Sequence, residues 1–310
     1  MNAGLATVRD CIAVLEEAYP PGWAQSWDAV GLAAGDPDAQ VAAVHFAVDP
    51  TPEVAAEAVA GGAGLLVTHH PLFLRGVHGV AETTPGGRVV ANLVRGGVAL
   101  YTAHTNADVA DPGVSDALGA ALGLRDLRSL TDADAGTGTD AGTGTDAGTG
   151  TDAGTGTDAG DRPAANGAAV CRGLGRIGEL PVPEPLGEFC ARVARSLPST
   201  AGGVRATGPA QRLVRRVAVC GGSGGELAGA AAAAGADVLV TADGRHHHVL
   251  DAVGAYPVAI VDVAHWASEW PWLAVAAARL RTGLRARGRT VSASVSAIVT
   301  DPWRLHAPSR

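Results

Sequence analysis

Four cysteines in 310 residues, Cys11, Cys171, Cys190 and Cys220, stand far apart with no C-x-x-C pair among them. That spacing excludes a zinc ribbon or a disulfide framework and leaves reduced, structural thiols. Long apolar runs are missing as well: the hydrophobic fraction of 47% is inflated by alanine, and each Ala-rich run is cut by Asp, Glu, Arg or Gly. None reaches the roughly 18 apolar residues of a spanning helix, so no membrane segment is expected. The opening MNAGLATVRDCIAVLEEAYP lacks a basic leader, an apolar core and a small-residue cleavage site, so a cytoplasmic protein is expected. Positive charge is short too, with 23 Lys and Arg against 31 Asp and Glu and a formal net charge of −8. That balance argues against a broad phosphate-binding face and against nucleic acid as a main partner, although Arg205, Arg212, Arg215 and Arg216 form one local concentration of positive charge.

What is there divides into two structured halves. The hexapeptide DAGTGT starts at Asp134, recurs at Asp140, Asp146 and Asp152, and begins again at Asp158. Gly, Thr and Asp without large apolar side chains bury too little surface to offset backbone entropy, so residues 131–168 read as a flexible linker. It separates residues 1–130 from residues 169–310. In the first half Val8, Cys11, Ile12 and Leu15 recur at helical spacing between Thr7 and Tyr19, while Ala42–Val48, Leu65–Thr68 and Val98–Thr102 read as strands. Thr51, Pro52 and Glu53 form a helix start, with an N-cap hydroxyl, a proline at the first helical position and a carboxylate facing the dipole. The second half repeats the grammar, with a helix at Leu186–Leu197 and strands at Val217–Cys220, Val238–Thr241 and Val258–Val261. Alternating strands and helices imply an α/β fold with mainly parallel sheets.

One pattern recurs in both halves: an apolar strand runs into metal-capable or acidic residues. LLVT meets His69-His70-Pro71, VALYTA meets His104-Thr105-Asn106-Ala107-Asp108, VLVT leads to Asp243 and His246-His247-His248, and PVAIVDVA leads to His265 and Glu269. Ligands in open α/β sheets bind beyond the carboxyl ends of strands, so the four clusters can converge. His265 and Glu269 lie four apart in a helical segment, on one face, where they can grip one metal or two adjacent ones. Pro71 keeps His70 out of helical geometry, so the His69 and His70 rings are expected to diverge, which suits two metals. Whether HTNAD forms an extended loop or a helical turn stays open at this point.

Blander readings stand beside each of these. Any one cluster alone reads equally as a cap or a solvated pair, and His246-His247-His248 reads as an exposed helix start. His45 and His78 read as structural or surface residues, and Trp27-Asp28 as either a helix–loop contact or a pocket wall. The CGGSGG run, Cys220–Gly225, is either an anion cradle or a tight strand-to-helix turn.

The blocks WDAVGL at Trp27–Leu32, GLLVTHHPLF at Gly64–Phe73, AHTNADVADPGVSDALGAALGL at Ala103–Leu124, VAVCGGSGGE at Val217–Glu226, ADVLVTADGRHHH at Ala236–His248 and VDVAHWASE at Val261–Glu269 resemble one family in this order. It is the dinuclear metal-centre family of GTP cyclohydrolase type-two homologues, with NGG-interacting-factor-three-like proteins as eukaryotic relatives. The resemblance implies two interlocked α/β lobes, two divalent metal ions per chain in the cleft between them, and homohexamers built as trimers of dimers. The metal ligands it implies are His69, His70, Asp108, His265 and Glu269, with Glu269 as a bridge, and His104 as a neighbour that supports the site or shuttles a proton. His247 matches the family's single histidine, while Ala242 and Ala264 stand where the family often has glycine, which removes no ligand. The mixed donor set suits zinc, iron, manganese, cobalt or nickel. The label implies a metal-dependent hydrolase acting on a nucleotide or related small-molecule heterocycle; a non-catalytic metal-containing assembly or regulatory protein is the alternative.

Overall fold

The computed structural model describes residues 4–132 and 172–307. The DAGTGT repeats, Cys171 and nearly all of the expected linker lie outside the described residues. Thr131 does not: its N–H donates to the Leu174 carbonyl at 3.3 Å, and the Leu174 N–H donates to its hydroxyl at 3.0 Å. Thr131, the first residue of the expected linker, is thus hydrogen-bonded to the returning chain.

The first part of the chain forms β1 (Gly4–Thr7), α1 (Val8–Ala18), β2 (Gly31–Ala34), β3 (Gln40–Val41), β4 (Ala43–Ala47), α2 (Pro52–Ala60) and β5 (Leu65–Thr68). It continues with α3 (Pro85–Gly96), β6 (Ala99–Thr102), α4 (Thr105–Asp108), α5 (Val114–Ala121) and β7 (Arg125–Ser129). Beyond the repeats come β8 (Arg176–Pro185), α6 (Leu186–Ser196), β9 (Arg205–Ala206), β10 (Leu213–Ser223), α7 (Ala228–Ala233) and β11 (Val238–Ala242). The chain closes with α8 (His246–Ala255), β12 (Ala259–Val263), α9 (His265–Ala286), β13 (Arg289–Thr290) and β14 (Ser292–Val295).

Local chemistry sets these boundaries. Thr7 caps α1 in a capping box with Asp10, its hydroxyl accepting from the Asp10 N–H at 3.1 Å while the Asp10 carboxylate accepts from the Thr7 N–H at 2.9 Å. Thr51 caps α2, and Pro52 stands first in that helix.

The strands assemble into a five-stranded sheet ordered β14-β4-β5-β6-β2, a six-stranded sheet ordered β7-β8-β10-β11-β12-β9, and a small β13-β1-β3 sheet. Parallel pairing links β14, β4, β5 and β6 in the first and β10, β11 and β12 in the second, and antiparallel pairs flank them. Each large sheet borrows across the repeat segment: β14 from the C-terminal end joins the first, and β7 from the first part joins the second. The expected partition into residues 1–130 and 169–310 thus does not coincide with the sheets, because edge pairing crosses it at both places.

Alternation along the buried strands explains the layering. Leu65, Val67, Ala99 and Tyr101 face one large core together with Val217, Val219, Val238, Val240 and Val261 of the other sheet. Leu66 and Leu100 point the other way onto α2 and α3, and Ala218, Leu239 and Ile260 onto α7. The shared core is filled by α1, α5 and α9, and α9 touches strands of both large sheets. At its centre Trp272 is fully buried, its indole N–H donating to the Tyr19 hydroxyl at 3.1 Å.

His45 has the structural role expected of it. Its ring bridges the Ser294 hydroxyl of β14 at 2.8 Å and the Glu57 carboxylate of α2 at 3.0 Å, and the Ser296 hydroxyl donates to the same carboxylate at 2.5 Å. Removing the ring, itself buried, leaves a cavity beside β14 and takes one of two partners from the half-buried Glu57. His45→Ala is therefore expected to cost about 2 kcal/mol, read as a lowered urea midpoint with unchanged slope.

Candidate metal centre

The parallel strands of both large sheets deliver their carboxyl ends to one place, as strand ends in open α/β sheets do. At the end of β5 the Thr68 hydroxyl donates to the His70 carbonyl at 2.8 Å, while the His69 and His70 N–H groups donate to Ala47 and Val48 at 3.1 and 2.9 Å. This turn keeps the two rings together, with centroids 5.1 Å apart. The expected divergence is corrected: the backbone bends at this point instead of continuing as a strand.

After β6 the HTNAD segment settles the open question as one helical turn, α4, with His104 at its cap and Asp108 at its end. The Asn106 side chain holds the turn by accepting from the His104 N–H at 2.9 Å and donating to the Tyr19 carbonyl at 2.7 Å. After β12, α9 begins at His265, and Glu269 lies one turn on with its Oε1 3.0 Å from His265 Nε2.

The Glu269 carboxylate, 3% exposed, is the hub. Its Oε1 also lies 3.4 Å from His69 Nε2, its Oε2 lies 3.1 Å from His70 Nε2, and Asp108 Oδ1 lies 3.5 Å from His69 Nε2. The five expected ligands are thus brought together. Their donor atoms fall into two groups that could each hold an ion, one of His69, His70 and His104 and one of His70, His265 and Glu269. His104, expected beside the ligand set, therefore offers a donor atom within it.

Four imidazoles are oriented in the same way, through Nδ1. His69 meets the Ala103 carbonyl at 2.9 Å, His70 meets Asp49 at 2.7 Å, His104 meets Asp28 at 2.8 Å and His265 meets Asp243 at 2.7 Å. An acceptor on Nδ1 fixes the ring plane and turns Nε2 away from that acceptor, which is how metal-binding histidines are held. Two atoms at the centre, His69 Nε2 and Glu269 Oε2, are buried without a hydrogen-bond partner among the described residues. Such orphaned atoms are costly unless something else satisfies them, and a divalent cation fits both.

The electrostatics point the same way. Burial alone would lower His70 and His265, but Glu269 outweighs it, aided by Asp49 and Asp243, and pushes them up to about 10 and about 11. Burial would raise Glu269, yet His70, His69 and His265 hold it well below the usual carboxylate range. Burial raises Asp108. Burial would raise Asp28 too, but hydrogen bonds from His104 and Thr105 keep it ionised. The centre is a buried anion that gathers positive charge.

Asp49 was missed by sequence reasoning, although it follows β4 just as the histidines follow β5 and β6. Asp28 reads from the sequence as part of a helix–loop contact or a pocket wall, and nothing in the sequence ties it to His104, 76 residues away.

The CGGSGG run is the tight turn of its two readings. Its Gly221, Gly222 and Gly224 N–H groups already donate to Ser115, Ser268 and Thr241 hydroxyls at 3.3, 2.8 and 2.8 Å, so they cradle no anion. Gly222 is needed for approach: a Cβ there would lie 2.5 Å from Glu269 Oε1, at a φ of +69°. His246, His247 and His248 are exposed on α8 and join neither metal-capable group. The four arginines are engaged: Arg205 pairs with Asp262, Arg215 and Arg216 pair with Glu179, and Arg212 donates to the Pro257 carbonyl.

Comparison with known proteins finds relatives along most of the chain. A profile of the family Duf34/NIF3 (NGG1p interacting factor 3) matches residues 6–302. A Streptomyces coelicolor protein named GTP cyclohydrolase 1 type 2 homolog is 44% identical over 300 residues, covering 97% of this chain and 94% of its own. A Mycobacterium tuberculosis protein of the same name is 43% identical over 369 aligned positions, covering 96% of each chain. Among solved structures, a Bacillus cereus protein related to NIF3 superposes with a TM-score of 0.78 at 27% identity, covering 97% of this chain and 99% of its own.

Two substitutions test how the site is held. Asp243→Asn is expected to weaken divalent-metal binding by about 10- to 100-fold, read by titration against a competing chelator. Gly222→Ala should displace Glu269 and cut the metal content of the purified protein, while its far-ultraviolet spectrum stays that of the parent.

Proposed function

This chain belongs to the Duf34/NIF3 family, and from that premise we propose that it is a divalent-metal-dependent hydrolase of a nucleotide or related heterocycle. The observation that carries the reading is the shared orientation of four imidazoles, each held at Nδ1 by a carbonyl or carboxylate and gathered around one buried carboxylate. His69, His70, Asp108, His265 and Glu269 would hold two ions, and His104 stands close enough to join them. A pair of divalent ions would supply a water of lowered pKa and a clamp on substrate oxygens.

The chain's own residues supply orientation and proton handling. Asp49, Asp243 and the Ala103 carbonyl fix the ring planes of His70, His265 and His69. His104 has a separate anchor. Asp28 accepts from its Nδ1 and is itself held by the Thr105 N–H at 3.0 Å and the Thr105 hydroxyl at 2.5 Å. Asp28, kept ionised in this way, fixes the plane of the His104 ring, which is the group proposed here as the proton shuttle. The name carried by the curated relatives makes GTP the first substrate to try. Self-association into a ring is proposed with the same reading, supported by α8, which buries none of its residues and exposes Leu250 and Val253.

The test is metal content per chain in protein purified without a His-tag, alongside GTP turnover. Wild type should carry about two ions, and His69→Ala and Glu269→Ala should lose them together with turnover. Turnover that persists in metal-stripped Glu269→Ala would overturn the mechanism.

A further inference from the structure

A cavity of about 500 Å³ adjoins the metal centre on its His265 side. His265 and Asp243 share its wall with Arg205 and with Asp301, Trp303 and His306 of the segment that follows β14. Most carboxylates on this wall are already engaged. Asp243 holds His265 at 2.7 Å, and Asp262 takes Arg205 at 2.7 Å and the Gly244 N–H at 2.8 Å.

Asp301 is different. It is 2% exposed, the Trp303 backbone N–H approaches its carboxyl, and its Oδ2 has no hydrogen-bond partner among the described residues. Burial raises its pKa, as do Asp243 and Asp49 nearby, and its oxygens remain acceptors for an N–H donor. Two residues on, the Trp303 side chain is 70% exposed on the wall of the same cavity. A buried polar group without a partner calls for a ligand, and an open indole beside it offers a flat apolar face.

We infer that this cavity binds the heterocycle of the substrate, with Trp303 stacking on the ring face and Asp301 hydrogen-bonding a ring edge that carries N–H or amino donors. Asp301 and Trp303 then choose the substrate, while His265 on the same wall places the ring beside the metal ligands. The role as a substrate pocket rests on the hydrolase reading above; the binding of a heterocycle does not.

The test uses the full-length, metal-loaded protein and guanosine, which carries adjacent N–H and amino donors, with 1-methylguanosine as the analogue whose ring N–H is blocked. Affinity is read by calorimetry and by quenching of tryptophan fluorescence, and metal content is measured on the same samples. Wild type should prefer guanosine by about tenfold, Trp303→Ala should weaken both ligands by about tenfold, and Asp301→Ala should bind the two alike. Trp303 is exposed, so its variant keeps the test decisive even if Asp301→Ala does not fold. Guanosine affinity unchanged by Trp303→Ala, or no wild-type binding beside full metal content, overturns the pocket and leaves the metal centre standing. Trp303-dependent binding in protein that holds no metal supports the pocket and overturns the hydrolase reading.

Discussion

A single buried carboxylate organises this molecule. Glu269 sits in the interior with Nε2 atoms of His69, His70 and His265 within 3.0–3.4 Å of its oxygens. A carboxylate cannot be taken from water without compensation, and here that compensation comes from three rings on two separate segments of chain. The rings must in turn be aimed, which is why an acceptor stands behind each of them.

The fold can be read as the means of meeting that constraint. The pair of histidines after β5 comes from one sheet and His265 after β12 from the other, so both sheets must turn their carboxyl ends to the same point. α9 carries Glu269 on its first turns and then runs through the shared core, touching β4 and β14 on one side and β10 and β11 on the other. The first turn of α9 is locked to the glycine turn after β10 through Ser268, whose hydroxyl accepts from Gly222 and donates to the His265 carbonyl at 2.7 Å.

Much of this was legible in the sequence because the signals are local. The strand at Leu65–Thr68 is recovered residue for residue, and the cap at Thr51 follows from hydroxyl chemistry confined to four residues. His265 and Glu269 on one face follow from helical periodicity alone. The partners that aim the histidines were harder to see, since Asp28 and His104 are 76 residues apart and a lone Asp after a strand has no distinctive spacing. β14 was missed for a related reason: SASV is short and small, and only its pairing with β4 makes it a strand. The bend after Thr68 is set by one hydroxyl-to-carbonyl bond that no periodicity encodes.

The pairing of Thr131 with Leu174 has a consequence for how this sequence can change. The two residues that bracket the repeats are tied to each other by reciprocal hydrogen bonds, so the body of the protein closes without reference to what lies between them. The entropy of closing a loop rises only with the logarithm of its length, about 0.6 kcal/mol for each doubling. Slippage in a six-residue repeat adds or removes whole units, and at this clasp each event is nearly neutral for stability. The chain can thus drift in length at this junction while the residues around Glu269 stay in register.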